Sequence, residues 1–276
     1  MTMTFDFSGK SVFVVGGTSG INLGIAKGFA EWGADMFVAS RKQDKVDSTV
    51  ETLSGLGAKA SGTTFDVREL DAVTTGFEAA KEFFGRDIDI LVSGAAGNIP
   101  SRFMDLSPNA IKAMVEIDLM GTYNVMRACY PHMTRPDGRI INIGAPQAFM
   151  PMTHQSAVCA AKAGVDMVTK TLAIEWGEEG ITVNTVSPGP IEHTEGFERL
   201  VPTPEIKEHV RKSVPLQRLG QAEDVAKVCG FLASDAGAYV SGVVLPADGG
   251  WSLSGASSIG SSAGRMMDKM TGKKSS

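Results

Sequence analysis

The residues whose spacing first suggests chemistry are glycines. Gly16-Gly17-Thr18-Ser19-Gly20-Ile21-Asn22-Leu23-Gly24 follows an apolar run, Val12 to Val15, and leads into a stretch with helical spacing. A glycine-rich turn at a helix start lets backbone N–H groups approach a pyrophosphate, and the helix dipole favours negative charge there. Many turns need glycine, and the spacing here is not GxGxxG. What marks a nucleotide site is the loop's place after the first strand of an alternating chain. A second cue is charge. The next apolar run, Met36 to Ala39, ends in Ser40-Arg41-Lys42, with no carboxylate before Asp44. A carboxylate there would bind an adenosine 2′-hydroxyl, whereas a guanidinium forks onto a 2′-phosphate and Ser40 can donate to it. These residues favour NADP(H); the alternative is that Arg41 and Lys42 are simply a solvated helix start. His132, His154, His193 and His209 show no triad or metal spacing. Cys129, Cys159 and Cys229 form no CxxC and read as small apolar residues in a reducing compartment.

The elements that must hold these residues follow one pattern. Short apolar runs (Val12 to Val15, Met36 to Ala39, Ile88 to Val92, Arg139 to Ile143, Thr182 to Val186, Val243 to Leu245) alternate with helical stretches such as Ile21 to Trp32, Lys42 to Leu56, Ala110 to Tyr130 and Ser156 to Trp176. Apolar strands each followed by a helix predict a parallel sheet covered on both faces, a single Rossmann-type doubly wound α/β domain over 1–251. Segment 192–214, charged and proline-bearing, is expected to be a long mobile loop acting as a lid on the substrate side, and 252–276 a flexible extension. The chain has 276 residues, 43% of them hydrophobic and 21% charged, enough for a large core. A net charge of −5 lacks the basic surplus of a nucleic-acid binder. No apolar stretch approaches the ~18 residues of a membrane span, and the first residues lack a signal-peptide pattern. A cytoplasmic protein is expected, with a small-molecule partner, no nucleic acid, no membrane and no metal.

The glycine loop resembles the TGxxxGxG fingerprint of the short-chain dehydrogenases/reductases, with Asn22 at the last glycine. Other landmarks of that family follow in order: Asp66-Val67 after the third strand, Ser93-Gly94-Ala95-Ala96-Gly97-Asn98 in place of NNAG, Lys162, Pro188-Gly189-Pro190-Ile191 and Ala247-Asp248-Gly249-Gly250. The resemblance spans Lys10 to Trp251. It implies that Asp66 and Val67 hold the adenine and that the loop carrying Ala95, Ala96 and Gly97 lies along the cofactor ribose. By the same likeness, 189–194 faces the nicotinamide and Lys162 binds its ribose.

Three of the family's four catalytic positions are altered. The position four before Lys162, usually Tyr, holds Val158; the usual Ser falls on Ala145; the usual Asn is Asp118. One explanation is a non-catalytic nucleotide binder. The other is a reaction that needs no phenol, and here the sequence resembles the peroxisomal type of 2,4-dienoyl-CoA reductase. The matching stretches are Ala95 to Asn98, Glu116-Ile117-Asp118, Ala173 to Gly177, Pro188 to Ile191 with Thr194-Glu195-Gly196, and Pro215 to Gly220. That branch also has Asp in place of Asn, keeps the Lys and lacks the Tyr. The likeness implies NADPH-dependent reduction of a conjugated enoyl thioester, with Asp118 and Lys162 catalytic. Asp118, paired with Lys162, would order the water that delivers a proton. Asp118 could instead cap a kink in an apolar helix. Asn98 is either a donor to the thioester or a turn former. Phe149, with Met150 and Met152, follows the fifth strand where ligands of this fold sit, and His154 is a further substrate candidate. An alcohol or 3-hydroxyacyl-CoA dehydrogenase with an unconventional acid is the rival activity. By analogy with the family, a homotetramer is expected.

Overall fold

The computed structural model describes residues 5–201 and 203–253. Chain order is β1 (Ser11–Val15), α1 (Gly20–Glu31), β2 (Asp35–Ser40), α2 (Gln43–Gly55), β3 (Ala60–Thr64), α3 (Leu70–Phe84), β4 (Ile90–Ser93) and α4 (Pro108–Val115). After a π-helical turn, Glu116–Met120, come α5 (Gly121–Cys129), β5 (Arg139–Ile143), α6 (Ser156–Glu175), β6 (Thr182–Pro188), α7 (Glu195–Leu200), α8 (Pro204–Ser213), α9 (Ala222–Ala233) and β7 (Val244–Ala247). All strand pairs are parallel, in the order β3-β2-β1-β4-β5-β6-β7. The fold is the doubly wound sheet that the alternating runs predict.

The apolar strands have no polar face because both faces are covered. Val12, Val14, Met36 and Val38 pack with Ile25, Phe29, Val46, Leu53 and Val225 from α1, α2 and α9. Phe13, Val15, Phe37 and Ala39, one residue out of phase, pack with Val73, Phe77, Val125 and Val168 from α3, α5 and α6. At ~25 cal/mol per Å² of apolar area, two such layers are the main stabilising term.

β3 is absent from the six apolar runs because its sequence, Ala-Ser-Gly-Thr-Thr, is small and polar and it lies half-exposed at the sheet edge. Smallness is required there. A Cβ on Gly62 would lie 2.6 Å from the Val38 carbonyl oxygen and 2.7 Å from Val46 Cγ1, so only glycine lets α2 close over this edge.

Two expectations are modified. The helical stretch Ala110 to Tyr130 is broken by the π turn, and segment 192–214 contains α7 and α8 instead of an open loop. Thr194 caps α7 and Thr203 caps α8, with Pro204 at the first helical position, which are the ordinary signals for starting a helix. The expected extension 252–276 lies, beyond Leu253, outside the described residues. Among the described residues no helix is long and apolar enough to cross a membrane, and no cluster of His, Cys, Asp or Glu could hold a metal ion.

Candidate active site

The sheet order reverses at β1, whose neighbours are β2 and β4, and ligands of such sheets bind at the carboxyl ends of strands flanking that point. A crevice of about 190 Å³ opens there. Its walls include Gly16, Thr18, Ser19 and Asn22 from the first loop, Ser40 and Arg41 after β2, Asp66 and Val67 after β3, and Ala95 and Ala96 after β4. Gly16 and Gly20 have φ of +77° and +53°, which lets the loop turn tightly into α1. Asn22 fastens the two sides together: its Nδ2 donates to the Gly94 carbonyl at 2.7 Å, while its buried Oδ1 has no partner. Asp66 is gripped by Arg68, whose Nε and Nη2 donate to its two carboxylate oxygens at 3.0 and 2.7 Å, and this holds its carboxyl below the usual aspartate range. Arg41 and Lys42 are exposed, and only Arg41 of the two lines the crevice. A narrow crevice with turned backbone, a fixed acid and an exposed guanidinium fits a phosphorylated dinucleotide.

Gly20 and Ile21 begin α1 at the mouth. A Cβ on Gly20 would lie 3.6 Å from Thr194 Cγ2, so the segment after β6 passes over this loop. Pro188 ends β6 and Gly189 follows it. A Cβ on Gly189 would come within 2.6 Å of Asp248, a close approach that keeps the strand end flush against the residues after β7. Ile191 is buried and bridges to Gly220.

The reacting end is built around Asp118. It lies in the π turn, fully buried, and such turns interrupt helices where a side chain must be re-aimed. Its Oδ1 accepts from the Gly97 N–H at 2.8 Å, and its Oδ2 is buried without a partner. Burial pushes its pKa up, opposed by the nearby Lys162 charge and by the Gly97 bond. Lys162, on α6, is also buried, and its Nζ donates to the Ile143 carbonyl at the end of β5, 3.0 Å away. The two form no direct ion pair among the described residues; their coupling acts through space. Gly164 lets α6 pack closely on the π turn: a Cβ there would stand 2.9 Å from Leu119 Cδ1, so a larger residue would require the Leu119 side chain to move.

Val158, at the tyrosine position, is buried in an apolar cluster with Leu106, Met114 and Ala157. No proton donor stands there. Asn98, at the end of the Gly97 loop, reaches toward residues preceding α6 and donates to Gln155 Oε1 at 3.1 Å. Phe149 is 49% exposed, and His154 is exposed with φ of +67°, its carbonyl accepting from the Ser101 N–H. The sequence reading missed three polar residues here. Asp166, one turn beyond Lys162, is buried with Oδ1 unpaired, and burial raises its pKa to about 6 against the pull of Lys170 and Lys162. Gln147 and Gln155 form an amide pair after β5. The i, i+4 spacing of Lys162 and Asp166 was a readable signal; the glutamines offered none.

A larger hollow of about 600 Å³ lies between α8 and the start of α9, away from this chemistry. Lys207–Glu192, Arg211–Glu208 and Arg218–Asp224 pairs cross-link its wall, so its charges satisfy one another.

A nucleotide crevice at the switch point, a buried Lys on α6 and a polar residue in the π turn define a dehydrogenase/reductase of the short-chain type. The family model described as enoyl-(acyl carrier protein) reductase matches residues 15–252, and the chain belongs to this family. It is an oxidoreductase, and the family uses nicotinamide cofactors. The chain is 38% identical over 256 residues to a peroxisomal 2,4-dienoyl-CoA reductase [(3E)-enoyl-CoA-producing] of Arabidopsis thaliana, covering 89% of this chain and 85% of that one. It is 36% identical over 244 residues to a probable 2,4-dienoyl-CoA reductase [(2E)-enoyl-CoA-producing] of Bacillus subtilis, covering 87% and 96%. A short-chain dehydrogenase of Burkholderia cenocepacia, solved in complex with NADP, superposes with a TM-score of 0.81 at 29% identity, covering 88% of this chain and 97% of that one.

Proposed function

We propose that this protein reduces 2,4-dienoyl-CoA to 3-enoyl-CoA with NADPH. The observation that carries this reading is the pairing of an apolar Val158 at the phenol position with a buried Asp118 beside Lys162. A carbonyl reductase must protonate oxygen as hydride arrives and needs a donor there. A conjugated enoyl thioester does not. NADPH, when bound, supplies hydride to C5 of the dienoyl group and becomes NADP+. The C4–C5 double bond breaks, the electron pair moves through C3 onto the thioester oxygen, and a proton taken up at C2 leaves a C3–C4 double bond.

Lys162, held by the Ile143 carbonyl, keeps positive charge near the developing enolate, where preorganised charge in a dry site acts strongly. Asp118 uses its free Oδ2 to order the water that delivers the proton, while Oδ1 is committed to Gly97. Its raised pKa keeps a larger protonated fraction than an ordinary aspartate has. Segment 192–214 serves as the substrate-side lid, its root tied where Glu192 meets Lys207 at 3.0 Å and accepts from Gln221. Phe149 and His154 border the acyl entrance. The chain works as a homotetramer, consistent with exposed Met120, Tyr123, Met167 and Ile174 on α6 and the π turn–α5 segment. A cytoplasmic setting accords with three free cysteines.

The test is NADPH oxidation at 340 nm with 2,4-dienoyl-CoA and with 3-oxoacyl-CoA, and product identification by chromatography against 2-enoyl and 3-enoyl standards. Rapid turnover of the dienoyl ester to the 3-enoyl product is expected. Turnover of the oxo ester alone would overturn the reading, and tight NADPH binding with no turnover on either would mark a non-catalytic binder.

A further inference from the structure

Beside the Asp118–Lys162 centre lies a group of amides to which the reaction as described gives no part. Gln155 is 4% exposed and immediately precedes α6. Its Oε1 accepts twice: from Asn98 Nδ2 at 3.1 Å and from Gln147 Nε2 at 3.0 Å. Two donors converging on Oε1 set which end of the Gln155 amide faces Asn98, and its Nε2 faces Met152 Sδ. Asn98 is also held from its backbone, because Gly97 before it donates to Asp118. With Nδ2 tethered, the amide plane of Asn98 cannot rotate freely. Its Oδ1 is nevertheless buried and has no hydrogen-bond partner.

A buried acceptor left unmade is costly, so an acceptor fixed in orientation beside a reaction centre implies a ligand that brings a donor. That requirement is selective. A thioester oxygen has no hydrogen to give, so Oδ1 is not made for the reacting carbonyl. An amide N–H satisfies it, and the second N–H of Asn98 Nδ2 remains to meet an amide carbonyl.

We propose that Asn98 is a binding residue for an amide group of the ligands, and that Gln155, backed by Gln147, is its positioning residue. The shared chemistry, a carboxamide N–H, has two sources: the pantetheine arm of an acyl-CoA and the carboxamide of the dinucleotide. The proposal rests on the reductase reading only for which acyl ligand is used.

The test is a double-mutant cycle on the intact protein with Asn98→Leu, Gln155→Leu and the pair, reading by calorimetry the Kd of a saturated acyl-CoA and of NADPH. Binding of an unreactive ester needs no turnover, so failure of the reductase reading would not be mistaken for failure here. Each single variant is expected to weaken acyl-CoA about tenfold, as losing a buried hydrogen bond does, and the pair to be no weaker than Asn98→Leu alone. KM should rise with kcat nearly kept, and the loss should vanish with an acyl alkanethiol ester that carries no amide. If NADPH affinity falls instead, the amide proposal stands with the dinucleotide as source. Additive effects, or an equal loss with the amide-free ester, would overturn it. Should Gln155→Leu fold poorly, Gln147→Leu removes one bond to the same oxygen and is expected to give a smaller loss of the same selectivity.

Discussion

At the nucleotide end, recognition depends on backbone turned by Gly16 and Gly20 and on the exposed side chain of Arg41, all near solvent. At the reacting end Asp118 and Lys162 are buried, and the properties of Asp118 come from what surrounds it. The first region works by shape and by an exposed charge. The second works by holding ionisable groups away from bulk solvent. The difference explains how the chain keeps a family cofactor crevice while discarding the family's phenol and serine: the crevice needs only local geometry, and the chemistry can be reassigned by changing three side chains, of which Asp118 and Val158 are buried.

The largest way to break this contrast is Asp118→Ala. Turnover of dienoyl-CoA is expected to fall at least ~10²-fold, the usual cost of losing acid–base assistance, with NADPH affinity nearly unchanged by calorimetry. Unchanged turnover would remove Asp118 from the reaction. Arg41→Ala acts on the other region: KM for NADPH is expected to rise by about tenfold or more while KM for NADH barely moves, because a forked charge-assisted contact to phosphate is lost. Equal use of NADH by the unaltered protein would sink the cofactor assignment. Val158→Tyr puts a phenol back at the family position. It must displace the Leu106–Met114–Ala157 cluster, so thermal unfolding should show a loss of roughly 1–3 kcal/mol and dienoyl-CoA turnover should not improve.

The smallest expected effect is in stability against pH. Asp166 is raised to about 6 in the fold from an unfolded value near 3.8, so the folded state binds the extra proton. Stability therefore falls as pH rises between those values and stays lowered above them. Asp166→Asn should raise Tm at pH 7 to 8, and the gain should disappear below about pH 4. A gain that persists in acid would place the cause elsewhere.

The resemblance and the motif order pointed to residues such as Gly16, Asn22, Arg41, Asp66 and Ala95 that share one crevice, while Lys42, Gly97 and Ile191 do not line it, and the missing tyrosine was visible in the sequence as Val158. Less was readable around it. β3 escaped the apolar pattern because an edge strand under a helix needs smallness more than hydrophobicity. The helices of segment 192–214 were hidden by their charges, although Thr194 and Thr203 stood at the cap positions. The expected Asp118–Lys162 pair is an electrostatic coupling and not a direct ion pair, since each group spends its hydrogen bond on a backbone partner, Gly97 or Ile143.

By itself, then, the sequence determined the sheet, the loop that turns on glycine, the guanidinium after β2 and the absence of a phenol, because each of these is a property of residue type and short-range spacing. Only the tertiary structure decided that Asp118 sits buried in a π turn, that Asp166 lies one turn beyond Lys162 with its Oδ1 unpaired, and that Gln147 and Gln155 meet Asn98. Those facts depend on desolvation and on contacts between segments far apart in the chain, and neither quantity is carried by local sequence.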